Sequence, residues 1–287
     1  MKFGLSLMGL RPRWHGTVAK HAEDLGFESV WMPEHLILPA ELPPTYLYSG
    51  DGRAPIDPGT PLYDPWVMLA GVASVTSRIR LGTNVYVLPL RHPLVTARSV
   101  VSLDRLSGGR VTLGAGVGWL ADEYTAAGQD FHTRGSRMDE IIPLLRTLWT
   151  AREPVEHHGR HYRFGPVVFS PRSLQRPCIP IEIGGTSAAA LRRAGRLGDG
   201  WIELGSENHE ELAGRIAVIR TERAATGRAH LPFEITSGAP GDATEIEELA
   251  ALGVTRVVTS YPAGLASSVD DVLDWLDDYF TSVMAKC

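Results

Sequence analysis

Between Arg78 and Trp119 the chain carries two apolar segments, Ile79 to Asn84 and Val111 to Ala115, in which polar residues never alternate regularly with apolar ones. A strand with one wet face alternates; a strand covered on both faces does not, and such strands belong to parallel sheets flanked by helices. Parallel neighbours need a crossover, and the segment between them has the apolar periodicity of a helix, Leu94 to Leu106, stopped by Ser107-Gly108-Gly109. The first strand runs out into a proline-flanked loop. The second ends in Gly116-Val117-Gly118. Both therefore end in residues that let another group approach the backbone closely.

The same rhythm extends in both directions. Strands are expected at Phe3 to Met8, Ser29 to Met32, Ile179 to Ile183, Gly200 to Leu204, Pro232 to Thr236 and Val254 to Thr259. Helices fall between them: Thr17 to Leu25, Asp64 to Thr76, Ser136 to Thr150, Ser187 to Leu197, Asn208 to Ala225, Glu245 to Leu252 and Val269 to Ala285. Eight strands alternating with helices predict an α/β fold of the (β/α)8 TIM-barrel kind. A doubly wound sheet is disfavoured because no Gly-x-Gly-x-x-Gly follows the first strand. With 287 residues, no internal repeat and no linker, one domain over 1–287 is expected. Its insertions are expected near 36–62, 119–135 and 153–178, the last holding a hairpin. The first is proline- and glycine-rich, and a connection that long in a compact domain reads as a lid or binding loop.

Composition excludes several function classes. A net charge of -5 without a basic run gives no footprint for nucleic acid. The short N-terminal apolar run is broken by Arg11 and Arg13, so neither a signal peptide nor a membrane span is expected. Two cysteines, Cys178 and Cys287, suggest no disulfide framework and fit a cytoplasmic location. The three lysines, Lys2, Lys20 and Lys286, avoid the predicted strand ends, which removes Schiff-base chemistry. No carboxylate set on successive strand ends would hold Mg²⁺. His157, His158 and His161 have passable metal spacing but fall on the predicted hairpin and read as a solvated turn, so no metal site is expected.

A barrel enzyme works at the C-terminal ends of its strands. Collected there are His35; Thr83, Asn84 and Val85; Gly116, Val117 and Gly118; Gly184, Gly185 and Thr186; and Glu203. Gly184-Gly185-Thr186 before a helix can act as an anion cradle, with backbone N–H groups, a helix dipole and a hydroxyl converging on one point. By itself that signal equally describes a turn and an N-cap. A single histidine after a strand is more commonly structural than catalytic.

The wording of these segments narrows the choice. LGTNVYVLPLRHP, LDRLSGGRVTLGAGVGW and the later IGGT and DGW closely resemble the luciferase-like monooxygenase superfamily, and within it the coenzyme F420-dependent oxidoreductases. The resemblance is specific from Phe3 to about Trp201; beyond that it is carried by the strand–helix rhythm. It implies an enzyme that binds a flavin-shaped cofactor in the barrel mouth, with F420 favoured and FMN the alternative. With F420, hydride moves between the deazaflavin and a small organic substrate. With FMN, reduced flavin from a separate reductase reacts with O₂. A non-catalytic flavin-binding barrel is a third reading, which the lid-like loop disfavours. A supplying flavin or F420 reductase and a homodimer through barrel helices are also implied.

The resemblance further makes Gly184-Gly185-Thr186 the phosphate loop and Gly116 to Gly118 part of the cofactor site. It makes His35 a proton donor or substrate contact, and puts a non-proline cis peptide at Asn84-Val85 behind the cofactor ring. One departure stands out. Some relatives carry a catalytic Glu directly after the strand-four Gly-x-Gly, where this chain has Trp119; Glu123, one helical turn on, and Glu203 are the candidates in its place. Tyr46, Tyr48, Trp66 and Trp119 are expected to line an apolar pocket for a moderately hydrophobic substrate.

Overall fold

The computed structural model describes residues 1–287 except Glu207, Ala263 and Leu265. In chain order the elements are β1 (Lys2–Ser6), α1 (His15–Leu25), β2 (Ser29–Met32), α2 (Pro65–Ala73), β3 (Arg80–Thr83), β4 (Tyr86–Val87), α3 (Pro93–Ser107) and β5 (Val111–Gly116). They continue as α4 (Ala121–Ala126), α5 (Arg134–Thr150), β6 (Val155–His158), β7 (Arg163–Val167), β8 (Ile181–Gly184), α6 (Ala188–Leu197), β9 (Gly200–Ile202) and α7 (His209–Ala225). The last are β10 (Glu234–Gly238), α8 (Ala243–Leu252), β11 (Arg256–Ser260) and α9 (Val269–Ser282).

The parallel strands run in the order β3-β2-β1-β11-β10-β9-β8-β5, and β5 pairs back onto β3 at Leu81–Val111 and Gly82–Thr112, so the sheet closes. This is the expected eight-stranded barrel. Helix ends follow local chemistry. Asp64 accepts the Trp66 and Val67 N–H groups ahead of Pro65, Ser187 accepts that of Ala190, and Ser268 with Asp271 forms a capping box. Gly108 closes α3 in the left-handed conformation.

The lower half of the barrel holds a buried polar layer. Arg256, at the start of β11, donates through Nη1 to both Glu182 oxygens at 2.9 and 3.0 Å and to Thr236 at 2.8 Å, and through Nε to Glu28 at 3.0 Å. Such a layer is sound only when each member is satisfied, and it anchors the end of the barrel away from the site.

Two connections hold more than loop, and the second contains the expected cis bond. Residues 119–135 are not an open loop but contain α4, whose side chain Tyr124 is fully buried and donates to the Val117 carbonyl at 2.6 Å. After Thr83 the chain leaves β3 through a cis Asn84-Val85 bond and resumes pairing as β4 against β5. The hairpin expected in 153–178 forms, as β6 and β7. Its histidines are engaged singly: His157 bonds Glu140 at 2.9 Å and His161 bonds Ser136 at 2.9 Å. Among the described residues no group of three His, Cys, Asp or Glu side chains could hold a metal ion. Nor, among them, is any helix long and apolar enough to cross a membrane.

Candidate active site

The C-terminal mouth of the barrel opens into a cavity of about 680 Å³, within the range of small-molecule sites. Its floor comes from the strand ends, and Val85 organises it. A side-chain carbon on Gly116 or on Gly184 would each lie 2.6 Å from a Val85 methyl. Those glycines are therefore required because Val85 occupies the space their side chains would fill. The group that approaches the backbone closely is a residue of this chain, presented toward the cavity as a small apolar bulge. Next to it, Asn84 also lines the cavity, and its Oδ1 is buried with no hydrogen-bond partner among the described residues. A buried acceptor left open in this way is suited to the N–H of a bound ring.

Gly185, Thr186 and Ser187 form the wall where α6 begins. Gly185 has φ of +114°, a region that side chains rarely enter. A carbon added there would meet Ala190 Cβ at 3.1 Å and the Tyr48 hydroxyl at 3.7 Å. The first N–H groups of a helix have no partner within it, so this corner can take an anion. The donor set fits a cofactor phosphate, and the Val85–Asn84 floor fits the ring beside it.

The loop after β2 brings His35 to the same cavity. Its Nδ1–H donates to Glu123 Oε2 at 3.2 Å, and the Leu36 N–H donates to Glu123 Oε1. Glu123 is fully buried on α4 and lies behind the cavity wall, so it holds the imidazole and does not reach the contents. His35 meets Trp119 edge-on at 5.9 Å between ring centres, Trp119 meets Tyr46 at 5.1 Å, and Tyr46 meets Tyr48 at 5.3 Å. This aromatic chain links the barrel rim to the 36–62 insertion.

Three residues expected at the site stand elsewhere. The Thr83 hydroxyl turns between strands and donates to the Gly114 carbonyl at 2.8 Å, away from the wall. Glu203 also misses the cavity: it accepts from Arg215 and Ser237, each at 3.3 Å, and ties the β9–α7 connection together. Trp66, expected as lining, is buried against Tyr86 at 5.1 Å. Strand alternation could not orient Thr83 or Glu203, because β3 ends at Thr83 and β9 at Ile202.

Sequence reasoning passed over Glu34. It lines the cavity, yet its side chain is 1% exposed; Oε2 accepts the Val87 N–H at 2.6 Å and Oε1 pairs with Arg91. Burial pushes its pKa up to about 7 against the opposing pull of Arg91 and the Val87 N–H. Its only signal in the sequence was adjacency to His35.

The luciferase-like monooxygenase family model matches residues 4–263. An uncharacterised protein of Mycobacterium tuberculosis is 32% identical over 283 residues, covering 96% of each chain. The F420-dependent glucose-6-phosphate dehydrogenase of Amycolatopsis mediterranei is 31% identical over 197 residues, 67% of this chain and 53% of that protein. In three dimensions, a monooxygenase from Streptomyces bottropensis superposes with a TM-score of 0.78 over 100% of this chain and 99% of its own, and at 23% identity this shows the fold. With both the family match and the near-complete relative in hand, the chain belongs to the luciferase-like monooxygenase family and is an oxidoreductase of the kind that family contains.

Proposed function

We propose that this enzyme binds coenzyme F420 and moves hydride between it and a small organic substrate. The observation that carries the reading is that one cavity is lined both by the Val85 bulge seated on Gly116 and Gly184 and by His35 held by Glu123. Bound F420 would supply a carbon that gives or takes hydride. Val85 would back one ring face, Asn84 Oδ1 would accept a ring N–H, and Gly185, Thr186 and Ser187 would hold the phosphate. His35, its Nδ1–H committed to Glu123, has Nε2 free to give or take the substrate's proton. The aromatic chain from His35 to Tyr48 would exclude water from that exchange. A separate reductase or dehydrogenase would restore the cofactor's other redox state. Preference for F420 over FMN is supported by the relative at 31% identity whose name includes F420.

The test is a titration of the purified protein with F420 and with FMN, followed by tryptophan fluorescence, because Trp119 stands in the wall. Quenching by F420 that Trp119→Phe diminishes is the expected outcome. Saturable binding of FMN without binding of F420 overturns the proposal in favour of a monooxygenase using reduced FMN.

A further inference from the structure

The 36–63 segment folds over the cavity, and its residues divide sharply by chemistry. Tyr46, Leu47, Pro55, Ile56, Leu62 and Tyr63 stand in the wall. The segment's four charged residues, Glu41, Asp51, Arg53 and Asp57, do not; all four are exposed. A surface loop of this composition could have turned either set inward. It presents the apolar set.

The charged side chains that do line the cavity come from the barrel: Arg11, Glu34 and Arg134. Glu34 and Arg134 are held by neighbouring groups, and Arg11 stacks at the rim. Glu34 is paired with Arg91. Arg134 lies 3.7 Å above the Phe131 ring and donates Nη1–H to the Phe131 carbonyl at 2.9 Å. It also sits on the α6 side, since Arg193 of α6 donates to the neighbouring Gly135 carbonyl at 3.2 Å. Its charge therefore belongs with the phosphate corner. Arg11 is stacked 4.8 Å over Trp14 at the exposed rim. The 36–63 segment thus adds no cation to the wall, and what it adds includes the rings of Tyr46, Tyr48 and Tyr63.

We infer that the substrate is an uncharged, mostly apolar molecule of about ring size, held between the 36–63 lid and the open cofactor face, and not a phosphorylated sugar. The inference rests on the F420 reading for which half of the cavity is left free. It separates this enzyme from the relative named for glucose 6-phosphate, because a phosphate under this lid would be desolvated without a partner.

The test uses N-phenyl-1-naphthylamine, a neutral apolar fluorophore, as the ligand, with F420 titrated separately on each protein. The parent should bind the fluorophore saturably, and glucose 6-phosphate should not displace it. Ile56→Lys and Leu62→Lys, both at half-exposed loop positions, should weaken fluorophore binding about tenfold or more by placing an ammonium in an apolar wall, with F420 affinity unchanged. Displacement by glucose 6-phosphate, or unchanged fluorophore binding by both variants, overturns the inference. A parent that binds the fluorophore as expected but not F420 sinks the cofactor reading and leaves the substrate class supported.

Discussion

The imidazole of His35 and the carboxylate of Glu123 meet at 3.2 Å, one on the loop after β2 and the other on α4. The pair spans two connections that leave neighbouring parts of the barrel rim, and only one member faces the cavity. With Nδ1 engaged by Glu123, Nε2 is the ring nitrogen left for the proposed proton transfer.

His35→Asn should therefore keep F420 affinity within a few-fold and lower kcat sharply, as expected of a group that handles a proton worth about 10²–10⁴ in rate. Glu123→Gln should act through His35: kcat falls about tenfold while KM holds, because the amide still accepts from Leu36 but orients the imidazole less firmly. Unchanged turnover in His35→Asn would assign the pair to structure alone.

Glu34 should give the fold a pH dependence of defined sign. A carboxyl whose pKa is raised in the folded chain binds its proton more tightly there. It therefore stabilises the fold below about 4.5, and that contribution is lost as pH rises through about 7. Glu34→Gln has no such proton to lose. The Tm of Glu34→Gln minus that of the parent should thus grow more positive from about pH 4.5 to about pH 8. A difference that is flat across this window would mean Glu34 stays ionised throughout, held by Arg91.

How much of this was legible beforehand follows from what local sequence can encode. The barrel was legible because a continuous apolar strand such as Val111 to Ala115 has only one stable environment, and because caps such as Asp64 and Ser268 act within a turn. The cis bond at Asn84-Val85 was legible only through resemblance: nothing in Asn84-Val85 taken alone announces its backbone geometry or its neighbours Gly116 and Gly184. Glu203 and Thr83 were collected at strand ends, but position at a strand end does not determine which way a side chain faces. Glu34 was missed because its environment comes from Val87 and Arg91, more than fifty residues away in the chain.

At the proposed phosphate corner, two substitutions would separate backbone from side-chain recognition. Gly185→Val needs a left-handed backbone that a β-branched residue resists, and its side chain would crowd Ala190. Cofactor affinity should fall beyond about a hundredfold, whereas Thr186→Ala should cost about 1 kcal/mol, the net worth of one hydrogen bond. Isothermal titration of both variants decides it, and equal affinity for Gly185→Val and the parent would put the phosphate elsewhere.

The last prediction concerns the contact of Val85 with Gly116. A methyl added at Gly116 would lie 2.6 Å from Val85 Cγ2, too close for either to stay in place. Overpacking of this kind costs about 1–3 kcal/mol, so Gly116→Ala should lower Tm by several degrees and displace the floor beneath the cofactor ring. Val85→Ala alone should lose less stability but weaken F420 binding, because the bulge that backs the ring is gone. Combining them makes the two readouts diverge: Gly116→Ala/Val85→Ala should recover most of the Tm lost in Gly116→Ala, since the clash is removed, without recovering F420 affinity. If the double variant regains affinity together with stability, Val85 is filler in the barrel mouth and the ring lies against another wall.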